Sequence, residues 1–130
     1  MNEKALGLMG LMRKAGMIEL GEMSVGTAVR EHKAKLVLIT PDASPNARSR
    51  AESFVRGRNI PLIELPFAKD EVSAIVGKAN TVMAAVTDMG FAQSFVKALG
   101  EGYGDVYYAL EQRARRSQTG RTTGTRRNNA

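Results

Sequence analysis

The apolar residues of the chain follow two spacings, which change from segment to segment. Five segments have a helical spacing of three and four residues, with faces formed by Ala5, Leu8, Met9 and Met12; by Val25, Ala28, Val29 and His32; by Ala47, Ala51, Phe54, Val55 and Arg58; by Val72, Ile75 and Val76; and by Phe91, Phe95 and Leu99. Short apolar-rich runs at 36–40, 60–66 and 82–86, with a shorter one at 18–20, predict strands instead. Helices and strands therefore alternate along the chain.

The run at 36–40 has no polar alternation and is rich in β-branched residues. Such a run is typical of a strand that is covered on both faces, which makes it the expected central strand. When helices alternate with strands, the helices pack on both sides of the sheet. The pattern therefore predicts an α/β protein, a three-layer α/β/α sandwich with a small, mainly parallel or mixed central sheet.

Two connections in this pattern are candidate binding positions. Gly21 separates the strand at 18–20 from the second helix, where a turn into a helix often requires φ > 0 or a close approach of the backbone. The loop after the central strand contains Asp42 and Ser44, whose side chains suit hydrogen bonds to nearby backbone N–H groups. Open α/β sheets bind ligands at the carboxyl ends of their strands, where this loop lies.

The formal charge of +6 is concentrated at the end of the chain. Residues 113–130 contain six arginines and no acidic residue, so the 19 basic and 13 acidic residues of the whole chain leave 13 of each in 1–112 (19 minus 6). Within 1–112, residues 1–60 have ten basic and six acidic residues, so a basic surface on the body is expected in its first half.

The last residues cannot build a core, because 117–130 contain no aliphatic residue larger than alanine. The sequence therefore predicts a domain at 1–104 and a basic tail at 105–130 that is disordered from about residue 117. Arginine-rich segments bind phosphates without sequence preference. The expected non-specific RNA contacts of the tail are Arg113, Arg115, Arg116, Arg121, Arg126 and Arg127.

Catalytic and metal chemistry find little support in the sequence. The chain has no cysteine and a single histidine, His32, for which a packed or surface position is favoured over a metal or general-base role. Asp42 and Asp88 each follow an apolar strand and are candidates for paired carboxylates, but turn and cap chemistry is the favoured interpretation, with Asn46 and Asp88 as helix caps. We therefore expect no catalytic residue, no metal site and no cofactor.

Two features of the sequence indicate the cellular compartment of the protein. No run approaches the 18 apolar residues of a membrane span, and the N-terminus lacks a secretory pattern because Arg13 and Lys14 follow the short apolar segment instead of preceding it. The sequence predicts a cytoplasmic protein without a membrane partner.

Basic residues of the first half are expected to gather round the Gly21 turn and to form a nucleic-acid surface, with a solvated charged face as the alternative. They are Arg13, Lys14, Arg30, Lys33, Arg48 and Arg50.

The order and spacing of Gly21, the helix with Ala28, and the segments 34–40, 42–44 and 59–61 resemble the ribosomal protein L7Ae/L30e superfamily, a kink-turn RNA-binding fold, and its bacterial YlxQ-type members. The resemblance extends from about Lys4 to Leu99. In that family RNA is held by three segments. They are the glycine turn with the start of the second helix, the loop after the strand that corresponds to 36–40, and the loop before the last strand. These positions correspond to 21–27, 42–44 and 78–82.

Taken with the basic residues, the resemblance implies a set of RNA contacts. They are Gly21, Glu22, Met23, Ser24, Thr27, Arg30, Lys33, Ser44, Lys78, Asn80, Thr81 and Val82. Members that bind kink-turns have Gly-x-Asn-Glu-x-x-Lys at the first position, where this chain has Met23, Ser24 and Thr27 in place of the Asn, Glu and Lys. This replacement removes an amide, a carboxylate and a cation, so we expect RNA binding with weakened kink-turn specificity.

The resemblance thus implies a non-enzymatic RNA-binding protein of ribosomal type that contacts structured RNA, either rRNA or kink-turn-like RNA. Its expected partners are RNA and the ribosome or another ribonucleoprotein. The alternative is a protein-interaction or regulatory module that has kept the fold and lost specific RNA recognition, as the replaced polar residues suggest.

Overall fold

The computed structural model describes residues 2–129, with side chains over 2–116. Six α-helices, four strands and one 3-10 turn lie in this range. In chain order they are α1 (Glu3–Ala15), β1 (Ile18–Leu20), α2 (Glu22–Arg30), β2 (Leu36–Ile39), α3 (Pro45–Val55), β3 (Leu62–Glu64), α4 (Lys69–Val76), β4 (Met83–Val86), α5 (Met89–Leu99), the 3-10 turn (Glu101–Tyr103) and α6 (Gly104–Asn129).

The four strands form one sheet in the order β1-β4-β2-β3. Strand β4 pairs antiparallel with both β1 and β2, and only the β2–β3 pair is parallel. The sheet is therefore mixed, which is one of the two sheet types that the sequence predicted. The other type, a mainly parallel sheet, was wrong. As expected, β2 is an interior strand.

Side chains of the two interior strands alternate between two cores, one on each face of the sheet. On β2, Leu36 and Leu38 face the core shared with α1, α4, α5 and α6, whereas Val37 and Ile39 face the core shared with α2 and α3. Because both faces are covered, the two strands are apolar throughout. The predicted three-layer α/β/α sandwich is confirmed.

Helix boundaries differ from the sequence interpretation at three places. The N-cap of α3 is Ser44, whose Oγ accepts a hydrogen bond from the Ala47 N–H at 3.1 Å, because Pro45 occupies the first helical position. The prediction of Asn46 as the cap was wrong. His32 and Arg58 were assigned to helical faces, but α2 ends at Arg30 and α3 at Val55, so both residues lie in the connections that follow.

Helix α6 packs against the body at its start, where Leu110 is fully buried in the core beside α5. Its backbone continues as a helix to Asn129. The predicted disorder from about residue 117 concerns a stretch whose side chains lie outside the described residues, and it stays a prediction, as does the division at residue 104. Among the described residues no helix is both long enough and apolar enough to cross a membrane.

Candidate nucleic-acid interface

Gly21 is the N-cap of α2 and adopts φ 91° and ψ 159°. This region of backbone conformation is open almost only to glycine, so the predicted positive φ is confirmed and a side chain here is strained. The Gly21 N–H donates to the Met83 carbonyl at 2.9 Å, which fixes the turn to the start of β4. The backbone of Gly21 is thus dictated by the turn from β1 into α2.

The start of α2 has no side-chain cap among the described residues. The first intrahelical bond in the turn is donated by the Val25 N–H to the Gly21 carbonyl at 2.9 Å, so the N–H groups of 22–24 have no partner within the helix. Unpaired N–H groups and the positive end of the helix dipole favour an anion at this place.

Lys78 supplies a cation to the same place. Its Nζ donates to the Leu20 carbonyl at 3.4 Å and lies 3.6 Å from the point that a Cβ on Gly21 would occupy. Two bonds of Thr81 hold the turn that carries Lys78: its Oγ1 donates to the Lys78 carbonyl at 2.7 Å, and its N–H donates to Ser73 Oγ at 3.0 Å. The side-chain ammonium therefore stands beside the bare backbone of Gly21.

The loop after β2 adjoins this turn, because the Thr40 N–H donates to the Val82 carbonyl at 2.9 Å. Within the loop, Ser44 caps α3, and Asp42 accepts the Lys69 N–H at the start of α4 with its two oxygens at 3.0 and 3.3 Å. We call this end of the sheet the Gly21 edge. It comprises Gly21, the turn 78–82 and the loop 42–44.

The exposed side of α2 continues away from the Gly21 edge through Met23, Thr27 and Arg30. Met23 is 86% exposed, which makes it the most exposed large apolar side chain among the residues whose side chains are described. On one flank these residues line a shallow groove of about 170 Å³ with Glu22, which forms an ion pair with Arg50 of α3 at 2.9 Å. On the other flank Ser24 and Lys33 line a groove of about 290 Å³. Met23 and Thr27 thus form the ridge between two grooves.

Asn80 is exposed and has a left-handed backbone with φ 60°, which asparagine tolerates better than most residues. It lies in the turn between Lys78 and Thr81, so the structure places it at the Gly21 edge. Its side chain lies outside the core and outside the two grooves beside α2.

The basic residues expected round Gly21 are dispersed. Arg30 occupies the last turn of α2, about 13.5 Å along the helix from Gly21, and Lys33 lies beyond the helix end in an ion pair with Glu31. Arg48 pairs with Glu64 at 2.9 Å. Arg13 and Lys14 border a groove between α1 and α4. Arg50 of the expected set lies next to the turn, in its ion pair with Glu22. The cation that the structure places against Gly21 itself is Lys78, which the family resemblance had named.

The pair of carboxylates considered for catalysis does not form. Because β2 and β4 are antiparallel, their carboxyl ends lie at opposite edges of the sheet, and so do Asp42 and Asp88. Asp88 caps α5 by accepting the Phe91 N–H at 2.8 Å, as predicted. Partial desolvation raises the pKa of Asp42, but the hydrogen bonds that it accepts outweigh this effect and leave the pKa below its ordinary value. His32 is exposed.

A second group of cations, which the sequence interpretation missed, lies at the other end of the sheet. We call it the arginine edge: Lys35, Arg56, Arg58, Arg113 and Arg116. These residues come from three segments that are far apart in the chain, and only the β2 pairing and the packing of α6 bring them together. Sequence analysis named Arg113 and Arg116 only as contacts of the tail, and for Lys35, Arg56 and Arg58 the signal was limited to the excess of basic residues in 1–60.

The described fold is that of an α/β/α sandwich with a glycine-initiated helix at one end of a four-stranded mixed sheet. Residues 3–96 match the family model of the ribosomal protein L7Ae/L30e/S12e/Gadd45 family. The RNA-binding protein YlxQ of Enterococcus faecium is 35% identical over 100 residues, covering 77% of this chain and 94% of that protein. The RNA-binding protein YlxQ of Bacillus subtilis (strain 168) is 34% identical over 96 residues, covering 71% and 91%. The chain therefore belongs to the ribosomal protein L7Ae/L30e/S12e/Gadd45 family.

Two solved structures share the fold of this chain. A Bacillus halodurans protein of unknown function superimposes with a TM-score of 0.69 at 26% identity, over 75% of this chain and 98% of that one. A Giardia lamblia 15.5kD RNA binding protein gives a TM-score of 0.60 at 17% identity, over 81% and 85%. The second likeness shows the fold alone.

Proposed function

We propose that the protein is a non-enzymatic, cytoplasmic RNA-binding protein of ribosomal type. It contacts structured RNA, either rRNA or kink-turn-like RNA, through the Gly21 edge and the exposed side of α2, and it acts on the ribosome or in another ribonucleoprotein. The arginines from Arg113 onward add non-specific contacts. The two YlxQ relatives carry the name RNA-binding protein, and the family match spans the residues that form the Gly21 edge.

One observation supports this function above the others. At Gly21 a bare backbone, an uncapped helix start and the Lys78 ammonium converge at one point. A phosphate can approach such a point closely, because no Cβ keeps it away and because N–H groups and a cation both attract it. The arrangement suits the sugar-phosphate backbone of a folded RNA better than it suits a small neutral ligand.

A second function, a protein-interaction or regulatory module, is favoured by Met23. This large apolar side chain, 86% exposed at the start of α2, could anchor a protein segment, and it stands where kink-turn binders of the resembled family have a polar residue. Under this alternative the grooves on either side of α2 receive a protein segment. RNA would then bind weakly or only through charge.

Titration with two RNAs at low salt separates these functions. The purified protein, Lys78→Gln and the control Lys97→Gln are each titrated with a kink-turn RNA and with a plain hairpin of equal length. The control loses the same charge on the exposed side of α5. We expect Lys78→Gln to weaken binding of both RNAs about tenfold, as loss of one to two good phosphate contacts does, and Lys97→Gln to bind as the parent does.

The outcomes discriminate clearly. Undetectable binding of both RNAs by the parent protein would contradict the RNA-binding function and favour the protein-interaction module. Equal affinity for kink-turn and hairpin supports RNA binding with weakened kink-turn specificity, as the replacement by Met23, Ser24 and Thr27 predicts.

A further inference from the structure

The arginine edge lies at the end of the sheet opposite to Gly21. Strand β4 shows this directly: its first residue accepts the Gly21 N–H, and the carbonyl of its last residue, Val86, accepts the Lys35 N–H at 2.8 Å. The two places lie at opposite ends of this four-residue strand, about 10 Å apart. An RNA segment at one edge therefore leaves the other edge accessible.

Two guanidinium groups of the arginine edge are held by the backbone. Arg58 Nη1 donates to the Val29 carbonyl at 3.3 Å, near the end of α2, and Arg113 Nη1 donates to the Lys35 carbonyl at 3.4 Å, just before β2. Desolvation, with the nearby charge of Arg116, lowers the pKa of Arg113 from its ordinary value. The two groups are therefore partly ordered before any ligand arrives, which reduces the entropy lost on binding.

The cations at this edge greatly outnumber the available acids. Glu111 forms an ion pair with Arg115 at 3.8 Å, and Glu31 with Lys33 at 3.2 Å. Within the part of the chain whose side chains are described, no acidic side chain pairs with Lys35, Arg56 or Arg58. The edge thus carries an uncompensated positive charge, although residues 1–112 as a whole are neutral.

The surface between these cations is concave and polar. Two grooves of about 530 and 580 Å³ adjoin there and share Asn59 and Arg113. The first is bordered by Arg56 and Arg58, and the second by Lys35 and Arg116. The large apolar side chains that the described residues expose lie elsewhere, so nothing here suits an apolar peptide anchor.

We propose that the arginine edge is a second RNA-binding surface, which holds the phosphate backbone of one RNA segment while the Gly21 edge holds another. The proposal rests on the proposed RNA-binding function and extends it from one contact surface to two. An RNA backbone is favoured over an acidic protein because the arginine edge runs directly into α6, where the sequence adds Arg121, Arg126 and Arg127 among Ser, Thr and Gly without apolar anchors. Within the described residues, Lys35, Arg56, Arg58, Arg113 and Arg116 border two adjoining grooves, and several cations along a groove suit the regularly spaced phosphates of an RNA backbone.

The test uses the full chain and a matched pair of triple variants. The edge variant carries Lys35→Gln, Arg56→Gln and Arg58→Gln, and the control carries Lys4→Gln, Lys14→Gln and Lys97→Gln, so both lose three positive charges. Each is titrated with a plain RNA duplex over a range of salt concentrations. We expect the edge variant to reduce the slope of log affinity against log salt by about three, whereas the control leaves it nearly unchanged.

A second arm tests the simultaneous binding of two RNAs. Two duplexes, one with a donor and one with an acceptor fluorophore, are mixed with limiting protein, and energy transfer reports their joining. The parent protein and the control triple variant should join the duplexes, and the edge variant and Lys78→Gln should each reduce the joining by at least about fivefold. Thermal unfolding of both triple variants verifies that they fold.

The outcomes distinguish this proposal from the proposed function. If the edge triple variant behaves as the control does in both arms, the second surface is contradicted while binding at Gly21 stands. If the edge variant loses affinity and Lys78→Gln does not, the arginine edge stands and the Gly21 edge falls. Tighter binding of a poly-glutamate peptide than of the duplex, lost in the edge variant, would overturn the RNA assignment in favour of an acidic protein partner.

Discussion

The two ends of the sheet attract anions by different means. At the Gly21 edge the attraction comes from backbone N–H groups at a helix start, from one lysine and from the absence of a side chain. At the arginine edge it comes from flexible side chains, two of which are tied to carbonyl oxygens. Binding by backbone N–H donors depends on the shape of the ligand and changes little with salt. Binding by exposed cations depends on the charge of the ligand and is screened by salt. The comparison predicts that one edge recognises the form of an RNA and the other only its charge.

The largest effect is expected for Gly21→Ala. A Cβ at φ 91° and ψ 159° is strained, so the free energy of unfolding should fall by about 1–3 kcal/mol, and RNA affinity should fall because the Cβ keeps a phosphate away from the start of α2. The added atom itself meets only Lys78 Nζ at 3.6 Å, an ordinary contact, so the stability loss comes from the backbone. Thermal unfolding and RNA titration measure the two effects.

Gly7→Ala is the control for this variant, because Gly7 lies within α1 with open space around the new atom. It should stabilise the protein by about 0.5–1 kcal/mol through helix propensity and leave RNA binding unchanged. A Gly21→Ala protein with parental melting temperature and parental affinity would remove the Gly21 edge from the proposed function.

Truncation after Gln112 is the second prediction and acts on the charge-dependent edge. It removes all six tail arginines but spares the buried Leu110, so the fold should persist. Non-specific RNA affinity should fall, and the slope of log affinity against log salt should decrease by at most about four, if each arginine meets one phosphate of single-stranded RNA. Circular dichroism and titration at several salt concentrations measure both. An unchanged slope would show that the tail makes no RNA contact.

The contrast between the edges also explains what the sequence revealed. Gly21 was found because a glycine between a strand and a helix is a local signal, and its backbone conformation follows from its neighbours. Lys78 was found through the family resemblance, since it lies 57 positions (78 minus 21) after Gly21 in the chain. The arginine edge was missed because Lys35, Arg58 and Arg113 have no common local pattern and meet only through tertiary packing.

The direction of a strand in the sheet, like the grouping of the arginine edge, leaves no local pattern in the sequence. Apolar runs identified β2 and β4 as interior strands, because burial on both faces leaves a local signature. That β4 runs antiparallel to β2 depends on how the chain returns from α4, through the turn with Lys78 and Thr81, which periodicity does not reveal. This direction is what places Asp42 and Asp88 at opposite edges and separates the two cationic surfaces.

A smaller effect is expected at the other end of α2, where His32 has φ 62°. Its N–H donates to the Val29 carbonyl at 3.1 Å, and the Lys33 N–H donates to the Ala28 carbonyl at 2.9 Å, the bonding of a helix end that usually has glycine at this position. His32→Gly should therefore stabilise the protein by about 0.5–1 kcal/mol, the reverse of Gly21→Ala. Thermal unfolding measures the change.

RNA binding by His32→Gly should equal that of the parent, because the substitution leaves every cation of the arginine edge in place. This result would show that the arginine edge depends on its cations and not on the backbone at the end of α2. A loss of stability would contradict the left-handed conformation at His32, and a loss of RNA affinity with stability retained would add His32 to the contacts of that edge.

The smallest effect on stability is expected for Arg30→Ala, between the two edges. Arg30 Nη2 donates to Thr27 Oγ1 at 3.2 Å on the exposed side of α2, and the guanidinium folds back over Gly26. Alanine gains helix propensity and loses a favourable charge near the helix C-terminus, so the two changes should cancel to within about 0.5 kcal/mol.

RNA affinity of Arg30→Ala should fall a few-fold at low salt and return to the parental value at high salt, because an exposed cation acts through a screened charge. Titration at both salt concentrations, beside Gly21→Ala, measures the contrast. If Arg30→Ala still weakens binding at high salt, a direct contact to a base or phosphate lies at the end of α2, and the recognition of RNA form extends along the whole helix from the Gly21 edge.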